Sequence, residues 1–134
     1  MTATAFGNFS VLVIEDEAFT RMVLVRMLST LGFKAVHQAQ DGESGLAAVH
    51  AHAPDAVLCD VEMAPMDGLG FLKALRTGDD PRNKALPVLF MTNRIDEARM
   101  AEARALGADI FLVKPATPDA LRETLDGTLA RTPG

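Results

Sequence analysis

The chain has 134 residues, 49% hydrophobic and 23% charged, ordinary for a globular protein and long enough to bury one core. A formal net charge of −5 argues against nucleic acid or an anionic membrane surface as a direct partner. The single cysteine excludes an internal disulfide, the start MTATAFGNF lacks the features of a signal peptide, and no apolar run reaches the roughly 20 residues of a membrane helix. These bounds lead us to expect one cytoplasmic domain over residues 1–134, with a core of about 9–130 and short tails.

Along the chain, strand-like runs alternate with helical stretches. Val11–Ile14 is an apolar run, followed by a helix over about Glu17–Leu31. The next run, Lys34–Gln38, is more polar and suits a sheet edge; a helix over about Gly42–Ala51 follows. Ala56–Cys59 precedes a helix over about Gly68–Arg76, Val88–Met91 precedes one over about Asp96–Leu106, and Ile110–Val113 precedes one over about Pro118–Leu129. Near-continuous apolar strands are those covered on both faces. Five such alternations, punctuated by Gly32, Asp41-Gly42, Pro54, Asp67-Gly68, Pro87 and Gly107, predict an α/β fold with a parallel sheet and helices on both faces.

In such a sheet, ligands bind beyond the carboxyl ends of the strands. The first strand runs into Glu15-Asp16, the third ends at Asp60, the fourth at Thr92 and the fifth at Lys114. Three carboxylates brought together need a cation, and an all-oxygen set with few carboxylates suits Mg²⁺. One divalent ion and the Lys114 ammonium balance the three charges. A carboxylate can act as a nucleophile toward phosphorus, with an ammonium and a hydroxyl as donors to the phosphoryl oxygens. Each residue also has a blander reading. Asp16 or Glu17 can cap the first helix, Asp60 can be a loop residue, Thr92 can cap the fourth helix, and Lys114-Pro115 can be a strand exit. Their joint placement on one sheet edge favours the site.

The segments VLVIEDE, AVLCDVEMAPMDG, PVLFMT and GADIFLVKP, in this order and spacing, resemble the receiver domain of two-component response regulators. The resemblance covers roughly Phe9 to Ala130. It implies a flavodoxin-like doubly wound sheet of strand order 2-1-3-4-5 and a usually cis Lys114-Pro115 bond. It further implies Asp16 as a direct metal ligand and Glu15 as one acting mainly through water. Asp60 becomes ligand and phosphoacceptor, the Glu62 carbonyl completes the protein ligands, and Thr92 and Lys114 contact the phosphoryl group. The partner is a sensor histidine kinase or a histidine phosphotransfer protein. The output is a changed surface on the fourth helix, fifth strand and fifth helix, read by a separate target protein or used for a homodimer; a phosphate sink or relay is the other role.

Departures from the family pattern carry further expectations. Glu15 stands where Asp is commoner, and Pro65 comes one place later than usual in Met63-Ala64-Pro65-Met66-Asp67-Gly68. Phe111 takes the rotamer-switch position beside Thr92 as the other switch residue, and, lacking a hydroxyl, reports activation by packing; its plainer reading is core packing. Glu62 and Arg94, two places beyond Asp60 and Thr92, flank the path of attacking water in this family and are expected to tune phosphoryl lifetime; otherwise they are independent surface charges. On the first helix, at about 100° per residue, Leu24, Leu28 and Leu31 form the core stripe, while Phe19 and Met22 lie almost opposite, beside Arg26, as a docking face. Cys59 reads as inert core, His50 and His52 share no helix face, and His37 has no evident partner.

Two rivals remain at this level. A haloacid-dehalogenase-type phosphatase also uses Asp, Thr or Ser, Lys and Mg²⁺. Its nucleophile follows the first strand, however, and its second Asp corresponds here to Glu62. The other rival is a pseudo-receiver that binds partners without phosphorylation, against which the complete acidic, Thr and Lys set speaks.

Overall fold

The computed structural model describes residues 6–93, 96–108, 110–114 and 116–130, apart from the side chains of 110, 111 and 130. Eleven elements follow in order: β1 Ser10–Ile14, α1 Ala18–Thr30, β2 Ala35–Ala39, α2 Gly42–His52, β3 Ala56–Asp60, α3 Gly68–Thr77, α4 Pro81–Ala85, β4 Val88–Thr92, α5 Glu97–Ala105, β5 Ile110–Val113 and α6 Pro118–Ala130. The strands form one sheet in the order β2-β1-β3-β4-β5, every pair parallel. The doubly wound order is the expected one, and the polar second strand lies at an edge.

Strand alternation divides the core into two layers. Leu12, Ile14, Val57, Cys59 and Phe90 face α2, α3 and α5, packing with Val49, Phe71, Leu72, Leu75 and Ala103. Val11, Val13, Leu58, Leu89 and Met91 face the opposite way, onto Leu24 and Leu28 of α1 and Leu121, Leu125 and Leu129 of α6. Both leucine stripes are where the helical period puts them, although Leu31 is only half-buried. Cys59 is fully buried, and that burial pushes its thiol well above the ordinary range.

Two features depart from the sequence reading. Short helix α4 was not expected; Asp80 caps it through Arg82 N at 2.9 Å, and Pro81 supplies a preset first turn. His37 does have a partner: its ring stacks on that of His52 with centroids 3.9 Å apart and an interplanar angle of 8°. That contact joins edge strand β2 to the last turn of α2, and no reading of α2 alone reveals it.

Candidate phosphoacceptor site

Parallel register carries the strand ends to one edge. Ile14 pairs with Cys59, Asp60 with Met91 and Thr92 with Val113, so Glu15, Asp60, Thr92 and Lys114 emerge side by side. Glu15 is 1% exposed, Asp60 6% and Thr92 8%, in a protein whose other buried side chains are nearly all apolar. Burial of this kind requires partners for each polar group.

Lys114 supplies them for two carboxylates. Its Nζ donates to Glu15 Oε1 over 2.7 Å and stands 3.3 Å from Asp60 Oδ1. Partial burial alone lowers the Lys114 pKa, but the Glu15 hydrogen bond and the Asp60 and Glu15 charges outweigh it, holding the ammonium above its ordinary range. The Lys114 backbone is fixed as well, its N–H donating to Thr92 O over 2.8 Å.

Asp16 is exposed next to this pair. Partial loss of water raises its carboxyl pKa, and a hydrogen bond and charge from Glu15 raise it further. The helix-cap reading belongs to its neighbour: Glu17 accepts from Thr20 N at 2.8 Å and Phe19 N at 3.3 Å, which leaves Asp16 free of that duty. The bond from Thr20, with its hydroxyl, holds Glu17 below the usual carboxylate range. Likewise α5 is capped by Asp96 rather than Thr92.

Carboxylate oxygens of Glu15, Asp16 and Asp60 lie within 4.8 Å of one another. One ammonium compensates only part of their charge, and the donors are all hard oxygens, so the residues present fit a Mg²⁺ ion. Glu62 is exposed on the loop after β3 and lines a cleft of about 100 Å³ with Thr92, Asp96 and Arg99. In that loop the Ala64-Pro65 peptide is cis, Gly68 N donates to Val61 O over 2.9 Å, and Gly42 N donates to Met66 O over 3.1 Å.

The remaining expectations fall as follows. Phe19 is 66% exposed and Met22 47%, with Arg26 exposed on the same helix. Arg94 and Pro115 lie outside the described residues, as does the side chain of Phe111, although its backbone is in β5. Sequence reasoning missed Arg21, whose Nη1 donates to the Glu15 carbonyl over 2.7 Å. A basic residue one turn past the Glu17 cap was the only available signal.

Known proteins are similar to this chain in sequence and share its fold. A probable chemotaxis protein CheY of Rhizobium etli is 34% identical over 119 residues, which are 89% of this chain and 91% of that protein. The structure of Vibrio cholerae chemotaxis protein CheY4 superposes with a TM-score of 0.82 at 32% identity, covering 90% of this chain and 98% of that one. A chain of the CheX-CheY-BeF₃-Mg²⁺ complex from Borrelia burgdorferi superposes at 0.80 with 26% identity, covering 90% and 88%. The response regulator receiver domain family matches residues 11–126, and the chain belongs to that family, as a CheY-like receiver domain and signalling switch.

Proposed function

We propose that Asp60 is the phosphoacceptor of this receiver domain and that its switching depends on Mg²⁺. The observation carrying this reading is the Lys114 ammonium set between Glu15 Oε1 and Asp60 Oδ1, beside a cluster of three carboxylates. Asp16 and Asp60 would hold the ion directly, Glu15 through water, and Glu62 by its backbone carbonyl. Bound Mg²⁺ supplies charge neutralisation for phosphoryl oxygens.

The donor is a phosphohistidine on a histidine kinase or phosphotransfer protein, as is general for CheY-like receivers. An Asp60 carboxylate oxygen forms the new bond to phosphorus as the donor's P–N bond breaks, and the freed imidazole takes its proton from water. Lys114 exchanges one carboxylate oxygen for a phosphoryl oxygen, and the Thr92 hydroxyl donates to another. Movement of Thr92 and repacking of Phe111 then alter the face made by α5, β5 and α6 (the fourth helix, fifth strand and fifth helix of the sequence reading). Such a change must rest on contacts that differ between two states. That face would act on a separate target protein or pair two copies of the chain, unless the domain works as a phosphate sink or relay. Glu62 and Arg94 would set the phosphoryl lifetime, and Phe19, Met22 and Arg26 would dock the donor.

Incubation with Mg²⁺ and acetyl phosphate, followed by mass measurement, tests the reading. The wild-type protein should gain one phosphoryl group that Asp60→Asn and chelation each abolish. A folded wild-type protein that gains none, or an Asp60→Asn variant labelled equally, overturns it.

A further inference from the structure

Arg21 lies at the start of the second turn of α1 and is half-buried. Its guanidinium forms no ion pair with the carboxylates of Glu15, Asp16 and Asp60. Among the described residues its one side-chain partner is the Glu15 carbonyl, 2.7 Å from Nη1. That carbonyl belongs to the peptide joining Glu15 to Asp16. On the strand side Glu15 N donates to Ala39 O over 3.0 Å, and just beyond Asp16 the Glu17 N–H donates to Glu15 Oε2 over 3.1 Å. The chain therefore leaves β1 clamped: Glu15 turns inward to Lys114, and Asp16 is presented outward. Turning that peptide breaks a charge-assisted bond and swings the Asp16 side chain.

We infer that Arg21 is a positioning residue, which sets the Glu15–Asp16 peptide and thereby presents the Asp16 carboxylate to a divalent cation; this rests on the Mg²⁺ reading of the acidic cluster. Groups that orient metal ligands commonly change affinity by about 10- to 100-fold when removed. Charge alone predicts the opposite sign, since a guanidinium repels a nearby dication and its loss would tighten binding.

Calorimetric titration of Mg²⁺ into the metal-free wild type, Arg21→Met and Arg21→Lys proteins decides between the two. Arg21→Met should weaken binding about tenfold, and Arg21→Lys, which keeps one donor, by less. The Asp16 amide resonance of metal-free Arg21→Met should move while its thermal midpoint in chelator stays near wild type. Phosphorylation by acetyl phosphate should need more Mg²⁺ for half-saturation, with a rate at saturating Mg²⁺ within about twofold of wild type. Unchanged or tighter Mg²⁺ binding by Arg21→Met overturns the inference alone. If that variant does not fold, Arg21→Lys decides: weaker binding supports the role and equal affinity overturns it. A wild-type protein whose Mg²⁺ binding is absent, or indifferent to Asp16→Asn, overturns the reading of the site and this inference with it.

Discussion

Lys114 Nζ lies 2.7 Å from Glu15 Oε1, joining residues 99 positions apart across the carboxyl edge of the sheet. The Glu15 side chain is 1% exposed, so removing its cation strands a charge away from water. Lys114→Met should destabilise the metal-free protein by about 2 kcal/mol, less than for a fully buried pair because Lys114 keeps some solvent contact. Adding Glu15→Gln should restore most of the loss, because the stranded charge is then gone. Urea melts of the two single variants and the double variant, in chelator, measure this coupling. Equal losses that simply add would show that the pair contributes nothing specific.

The loop after Asp60 depends on a missing side chain. A Cβ on Gly68 would sit 2.5 Å from the Asp60 carbonyl oxygen and 2.7 Å from Phe90 Cε1. The first neighbour is backbone and the second lies in a fully buried ring, so neither yields cheaply. Gly68→Ala should therefore cost about 2–3 kcal/mol and move the end of β3 with it. A lower urea midpoint together with slower phosphorylation by acetyl phosphate is the expected pair of results. A folded variant with normal stability would show that α3 can shift without loss.

Much of this was legible because a buried parallel sheet leaves a plain record. Its strands must be apolar on both faces, so the polar residue ending each run stands out, and the structure places Asp60, Thr92 and Lys114 at or just past the strand ends where those runs stop. Contacts that obey no fixed spacing were not legible. Arg21 reaches a backbone carbonyl six residues earlier, which no side-chain pattern encodes. The stack of His37 on His52 depends on how α2 lies over the edge strand, not on either segment alone. Asp67-Gly68 was read as turn chemistry, yet Gly68 is needed for space beside Asp60, a fact of packing. At α4 the signal was present in Asp80-Pro81, but five residues are too few to show a helical period.

His37 gives a pH dependence of definite sign. Burial, and then the charge of His52, lower its pKa below the ordinary 6.5. The folded state thus binds a proton less readily than the unfolded chain. Its contribution to stability is present above pH 6.5 and is lost as pH falls through the lowered folded value. Thermal midpoints of wild type should therefore fall from pH 6.5 downward more steeply than those of His37→Gln. His52→Ala should remove only part of the difference, because burial is the larger cause. Parallel pH profiles for wild type and His37→Gln would refute the assignment.

The docking role proposed for α1 can be tested apart from the chemistry of the site. Phe19 and Met22 are large apolar groups left 66% and 47% exposed, on the turn that follows the acidic end of β1. Phe19 also lines a cleft of about 320 Å³ with Val23, Met27, Met91, Asn93 and Lys114, so a surface seated there adjoins the phosphoacceptor edge. An exposed aromatic that contributes nothing to the core is inexpensive to remove. Phe19→Ala should accordingly leave the thermal midpoint and the rate with acetyl phosphate near wild type. Transfer from a phosphorylated histidine partner should slow about fivefold or more, the loss expected when an aromatic anchor of an interface is truncated. In the proposed mechanism acetyl phosphate uses the same Asp60, Thr92 and Lys114 but no protein surface, so the ratio of the two rates isolates docking. Equal slowing with both donors would instead place Phe19 in the chemistry of the site.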